Sequence, residues 1–176
     1  MYGSSGGSTD NTKNMRRTTI PMTVRATLCQ IIRNGCLLLL HKNPGRFGEG
    51  KWNGAGGKLL PGESPEHGVV REVEEETGLR LRSVTLHGVL DFFFGEKPEP
   101  DWVVHVFSSS DFDGEPKEAS EEGVLNWFRF DEIPYDRMWQ DDEHWLPLLL
   151  EGKRFTGWFL FSEDGSELLE HELKVQ

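Results

Sequence analysis

One stretch, GKLLPGESPEHGVVREVEEETGL from Gly57 to Leu79, constrains this chain more than any other. Its middle reads as a helix with both ends marked. Ser64 suits the N-cap, Pro65 the first helical position, and Gly78 the left-handed position past the end. At the helical period Val69, Val70, Val73 and Thr77 share one arc, fit to face a core. Glu72, Glu75 and Glu76 fall within an arc of about 100° on a different side. Like charges at that spacing cost a helix about 0.2–0.5 kcal/mol per pair. Taken alone, the helix fits either a solvated acidic face or a cation-binding one. A hard divalent cation would relieve the repulsion, since Mg²⁺ takes oxygen ligands and commonly bridges carboxylates to substrate phosphates. Arg71, beside the cluster, could clamp one glutamate through a bidentate pair.

The surrounding sequence predicts a mixed sheet. Val24–Arg33 and Cys36–Lys42 are apolar runs on either side of Asn34-Gly35, a hairpin signal. Residues 43–51 form a loop with three glycines and a proline, and Gly54, Gly56 and Gly57 ask for close backbone approach. Ser83–Phe94 and Trp102–Ser109 read as strands around a hairpin loop at 95–101. Val124–Phe130 reads as another, after an acidic loop at 110–123. Asp141–Leu150 looks helical despite Pro147, and Arg154–Ser162 with Glu167–Val175 makes a closing hairpin. A mixed sheet with two helices is one α/β domain, expected at 23–176. Residues 1–22, rich in Gly, Ser, Thr and Asn with a linker-like GSSGGS run, are set apart as a disordered tail.

Charge narrows the partners. The chain has 19 Lys and Arg against 30 Asp and Glu, a formal net charge of −11. That argues against polymeric nucleic acid and against docking on an anionic membrane. The longest apolar run, Cys36–Leu40, is too short to span a bilayer, as is Leu148–Leu150. Cys29 and Cys36 are expected as buried, reduced thiols, as in a cytoplasmic protein.

The full spacing around the helix is more specific than the helix. Gly57, Glu63 and Arg71-Glu72-Val73-Glu74-Glu75-Glu76-Thr77-Gly78-Leu79 fit GX5EX7REUXEEXGU, with U a bulky apolar residue. In this the chain resembles the Nudix hydrolases. The resemblance implies a Nudix α/β/α sandwich with a mixed β-sheet and a loop–helix–loop catalytic motif. It implies hydrolysis of a nucleoside diphosphate linked to another moiety, with Mg²⁺ or Mn²⁺. The Gly56 carbonyl with Glu72, Glu75 and Glu76 would hold metal, and Glu122 matches a further acidic ligand, with Glu121 adjoining it. Glu76 would be the central ligand, Arg71 would orient a carboxylate, and Glu63 would support the loop–helix geometry. Either Glu76 or Glu122 could deprotonate water.

Outside that motif, GRFGEGKWNGAGGK (45–58), VHVF (104–107), WFRFDEIPYDRMWQDDEHWLPLLL (127–150) and KRFTGWFLF (153–161) resemble the MutT-type branch, in particular animal enzymes of oxidised purine nucleotides such as 8-oxo-dGTP. The usual course in that branch is attack at the β-phosphorus. The resemblance places Asn53, Asp141 and Asp142 at the purine edge, and Trp139 stacked on the base. Phe47, Phe92, Trp102 and Trp145 would wall the pocket, with Thr27, Gly56, Gly57 and Lys58 near the nucleotide. Two adjacent aspartates in an aromatic pocket cannot both ionise freely, so one pKa is expected to rise and supply a donor.

The implied activity is release of monophosphate and pyrophosphate from 8-oxo-dGTP- or 2-hydroxy-dATP-type nucleotides by a monomer. A Nudix enzyme of ADP-ribose or a dinucleotide, or a silent nucleotide-binding module, remains the alternative. Blander readings stand beside several residues: Asp141-Asp142 as an N-cap pair, Asn53 as a left-handed turn, His105 as a satisfied structural group, and Trp127 and Trp158 as core. Trp102 stands where the branch has a smaller apolar residue, and Asn43 and Pro44 replace basic ones.

Overall fold

The Asn34-Gly35 turn forms as its sequence predicts, with positive φ at both residues, 51° and 74°. Across it β1 (Val24–Arg33) pairs antiparallel with β2 (Cys36–Lys42). Two such residues twist the turn in the sense of the strands. This computed structural model describes residues 22–176, so the tail read at 1–22 lies outside the described residues except for Met22.

Short strands β3 (Trp52–Asn53) and β4 (Ala55–Lys58) lead into helix α1 (Pro65–Thr77). Its caps are those the sequence marks. The Ser64 hydroxyl accepts from the His67 N–H at 3.2 Å. Gly78, with φ at 77°, returns its N–H to the Glu74 carbonyl. There follow β5 (Arg80–Leu81), β6 (Thr85–Phe94), β7 (Trp102–Ser109), β8 (Phe112–Asp113) and β9 (Gly123–Arg129). Helix α2 (Asp142–Leu150) precedes the closing hairpin of β10 (Phe155–Phe161) and β11 (Leu168–Val175). The β6 strand starts two residues later than expected. The acidic loop contributes β8, which pairs with β5 apart from the main sheet.

Among the described residues nine strands form one mixed sheet, in the order β11-β10-β6-β7-β1-β2-β3, with β4 on β1 and β9 on β2. The β1–β7 and β6–β10 pairs are parallel. A helix covers each face. Helix α1 sets Val69 and Val73 against Cys29, Ile31, Leu38 and Phe107. Helix α2 sets Trp145, Leu146 and Leu149 among Leu37, Leu39, Leu90, Val106 and the phenylalanines of β10. This is the α/β/α sandwich the motif implied. Strand alternation sorts the side chains: Phe92 and Phe94 of β6 stack on their register partners Phe159 and Phe161 at 5.5 and 5.6 Å.

Trp127 packs half-buried against the α1-side core, beneath the Arg33 guanidinium 4.5 Å from its ring centroid. The expectation that Trp158 is core is corrected. Trp158 is half-buried on the sheet face opposite Phe159, because its strand position points it away from α2. Both cysteines are free thiols, but only Cys29 is buried, and burial pushes it up to about 12. Among the described residues no helix is long and apolar enough to cross a membrane.

Candidate active site

Arg71 organises the outer end of the glutamate cluster. Its Nε and Nη2 donate to the two oxygens of Glu63 at 2.8 and 2.9 Å, a bidentate fork. Its Nη1 reaches Glu72 at 2.6 Å and Glu75 at 3.4 Å, and Nη2 also reaches the Lys58 carbonyl at 3.2 Å. The fork and the Leu60 N–H hold the Glu63 carboxyl down to about 2. Glu63 is thereby bound to the loop ahead of α1 and to the helix itself, which fixes the entry angle of the helix.

The three helix glutamates diverge. Glu75 is mostly exposed, Glu72 lies under the Gly57 backbone, and Glu76 is turned inward and only 6% exposed. Glu76 accepts from the Gly56 N–H at 3.0 Å and meets Lys42 Nζ at 3.5 Å. Burial raises its pKa to about 7; Lys42 and the Gly56 N–H oppose that, and Glu72 and Glu122 add to it. Glu122, far along the chain, joins from the loop before β9, 3.5 Å from Lys42 and 3.0 Å from Arg46. Glu121 takes part only through its backbone carbonyl, which accepts from Asn43 at 3.2 Å.

Among the described residues no three acidic, His or Cys side chains converge as a finished metal cage. Arg71 and Lys42 are the partners of the carboxylates instead. The donor set nevertheless fits a hard divalent cation, being all oxygen. The backbone is shaped to the same end. A Cβ on Gly57 would stand 2.5 Å from the Glu72 carboxyl carbon, so glycine is what admits that carboxylate. The Gly56 N–H points at Glu76, and in an extended strand the carbonyl of the same residue faces the same edge.

Beside this cluster opens a cavity of about 460 Å³. It is lined by Thr27, Phe47, Asn53, Gly56, Gly57, Lys58, Phe92, Trp102, Trp139, Asp141, Asp142 and Trp145, with Glu122 at the same wall. All twelve residues read as substrate-binding therefore meet in one space, from six separate stretches of chain. Asp141 and Asp142 are buried. Asp141 accepts from Trp145 Nε1 at 2.8 Å, and Asp142 from the Trp139 backbone N–H at 3.0 Å. Burial raises Asp141 to about 6, and burial with the neighbouring Asp141 charge raises Asp142 well above the ordinary carboxylate range.

The blander readings fare unevenly. Asp141 occupies the N-cap position of α2, but its side chain makes no capping bond. Asn53 lies in β3 without positive φ, and its Oδ1 accepts from the Gly54 N–H at 2.8 Å. The Nδ1 of His105 is buried without a hydrogen-bond partner, as is Thr27 Oγ1 on the neighbouring strand. Trp102 lines the cavity and stacks on Phe47, with Lys58 Nζ 5.4 Å above its ring. Lys42, Arg46, Phe94 and Phe161 also line the cavity and were not read from sequence. The two phenylalanines were legible as the alternation Phe92-Phe93-Phe94 and its counterpart on β10. The two cations carried no local signal.

Comparison with known proteins agrees with this geometry. Residues 22–149 match the NUDIX domain. The chain is 43% identical over 148 residues to the oxidized purine nucleoside triphosphate hydrolase of Danio rerio, covering 84% of this chain and 92% of the relative. It is 41% identical to the protein of that name in Mus musculus, with the same coverage of 84% and 92%. Among solved structures, the MutT protein of Bacillus halodurans superposes with a TM-score of 0.77 at 30% identity, covering 86% of this chain and 97% of that one.

Proposed function

The chain belongs to the Nudix family, and on that premise we propose that it hydrolyses oxidised purine nucleoside triphosphates of the 8-oxo-dGTP and 2-hydroxy-dATP type. The products are the monophosphate and pyrophosphate, and the role is sanitisation of the nucleotide pool. The observation that carries this reading is the buried Asp141–Asp142 pair on the wall of an aromatic cavity. The names of the animal relatives support it.

A base stacked on Trp139 gains about 1–3 kcal/mol. Asn53 offers a donor and an acceptor, and an aspartate pair that keeps one proton offers a donor beside acceptors. An oxidised purine displays altered donors and acceptors at its edge, which such a pair can meet. An ADP-ribose or dinucleotide hydrolase has no evident use for that arrangement.

Nudix hydrolases generally use divalent metal ions. Mg²⁺ is the ion we assign, with Mn²⁺ able to replace it. Glu72, Glu75, Glu76, Glu122 and the Gly56 carbonyl are the ligands we assign. Bound there, the ion would neutralise charge developing on the phosphoryl oxygens. The rest is the work of the chain. Arg71 orients Glu72, and Glu63 holds Arg71. Glu76 or Glu122 takes the proton of the attacking water. Lys58 adds positive charge to the cavity wall where a triphosphate would leave the base pocket. Unpaired Cys29 and Cys36 support a cytoplasmic setting. The net charge of −11 supports a free nucleotide over a polymer, and we take the active unit to be a monomer.

The test is kcat/KM for 8-oxo-dGTP against dGTP and 2-hydroxy-dATP, with pyrophosphate and phosphate release assayed separately and Glu76→Gln as the control. Preference for the oxidised purines with pyrophosphate release is expected. Binding without turnover would identify a silent module, and faster cleavage of ADP-ribose would overturn the substrate assignment.

A further inference from the structure

Adjacent residues of the glycine loop at 43–51 grip opposite ends of the site. Arg46 Nη1 lies 3.0 Å from Glu122 Oε1, at the carboxylate end. The next residue, Phe47, lines the cavity and is 61% exposed, yet its ring stacks against two indoles. It stands 5.2 Å from Trp102 and 5.4 Å from Trp139, with interplanar angles of 24° and 23°. An exposed ring so placed owes its position to stacking and to its backbone.

That backbone has little play. The Arg46 N–H donates to the Asn43 carbonyl at 3.2 Å and the Glu49 N–H to the Arg46 carbonyl at 3.0 Å. The Gly45 N–H donates to the Glu49 carboxylate at 2.7 Å, and the Asn43 N–H to the Glu122 carbonyl at 2.8 Å. Gly48, at φ 78°, is packed so closely that a Cβ would come within 3.2 Å of Trp139 Nε1. Closely linked turns thus carry a hold on a carboxylate and a cavity-lining ring, one residue apart.

We propose that Arg46 is a positioning residue that ties Phe47 across the mouth of the base cavity to Glu122, so that a divalent cation bound at Glu122 loosens the ring and speeds entry of the base. This rests on the proposed reading of Glu122 as a metal ligand and of the cavity as the base site. A divalent cation beside Glu122 draws on the carboxylate and repels the guanidinium, and both effects weaken the Arg46 anchor. A partly exposed ion pair is worth about two- to five-fold in an equilibrium, which sets the expected shift in the open population.

The probe is a nucleoside, 8-oxo-2′-deoxyguanosine, which has no phosphate for the metal to hold. Its association is followed by stopped-flow tryptophan fluorescence, with and without saturating Mg²⁺. In the unmodified protein Mg²⁺ raises the association rate about two- to five-fold. Arg46→Gln associates at the faster rate without Mg²⁺ and does not respond to it, Arg46→Lys recovers part of the response, and Phe47→Ala is fast in both conditions. A rate indifferent to Mg²⁺ in the unmodified protein, or a full response in Arg46→Gln, overturns the coupling and leaves the proposed function standing. A protein that binds neither the nucleoside nor Mg²⁺ overturns both.

Discussion

Trp145 donates its indole N–H to the Asp141 carboxylate at 2.8 Å, one helical turn away along α2, with both side chains buried. The bond favours the charged form of Asp141 and partly offsets the burial that raises it to about 6. Asp142 has no side-chain donor among its bonds and is raised further. Burial and the neighbouring charge therefore favour a proton shared by the pair, with the greater upward push on Asp142.

The first prediction concerns that proton. Binding of 8-oxo-2′-deoxyguanosine in metal-free buffer should weaken below about pH 6, where Asp141 also protonates. It should weaken again at higher pH, once the pair gives up its remaining proton. Asp142→Asn carries a permanent donor and should lose the high-pH limb. Titration by calorimetry across pH checks this, and an unaltered limb in that variant would count against the shared proton.

Trp145→Phe keeps an aromatic ring but removes the donor to Asp141. A buried acceptor left unpaired costs about 1–3 kcal/mol, so the variant should be less stable by that order in urea unfolding. The acidic limb of nucleoside binding should move to higher pH, because the charged form of Asp141 has lost its hydrogen bond.

Glu76 is raised in the folded protein from 4.5 to about 7. A carboxyl raised by folding contributes stability below its unfolded value, and that contribution is lost as pH rises through the folded value. Metal-free Glu76→Gln should therefore melt higher than the unmodified protein at pH 8 and at the same temperature at pH 4. The difference at pH 8 should be on the order of 1–3 kcal/mol. Mn²⁺ affinity of the unmodified protein, followed by electron paramagnetic resonance, should rise with pH through about 7 and lose that dependence in the variant.

Arg71→Lys keeps the charge and loses the fork on Glu63. Groups that orient metal ligands commonly change metal affinity or activity by about 10–100-fold. We expect kcat to fall in that range while nucleoside affinity, read at the other end of the site, stays unchanged.

Gly57→Ala tests the backbone cradle. The added methyl would stand 2.5 Å from the Glu72 carboxyl carbon, and the side chain would have to leave. Mn²⁺ binding should weaken in this variant while its circular dichroism matches that of the unmodified protein. Unweakened Mn²⁺ binding would remove Glu72 from the ligand set.

Much of this fold was legible because its signals are local. The Ser64 cap, the Gly78 stop and the Asn34-Gly35 turn are each settled within a few residues, and each formed where it was expected. Errors arose where a property depends on what lies opposite. Trp158 read as core on its hydrophobicity, yet its strand turns it to the face away from α2. Lys42 and Glu122 are separated by 80 positions, so nothing near Lys42 announces its partner.

The sequence by itself determined the helix, the glutamates it carries and, through their spacing from Gly57, the class of chemistry. Helical periodicity assigns each side chain an angle about its own axis, and that angle is local. Only the tertiary structure decided that Glu76 is turned inward beneath Gly56, that Glu75 stays exposed, and that Arg46 and Phe47 bridge the two ends of the site. Burial, and the desolvation that moves Glu76, Asp141 and Asp142, belong to surfaces that exist only once distant segments have met.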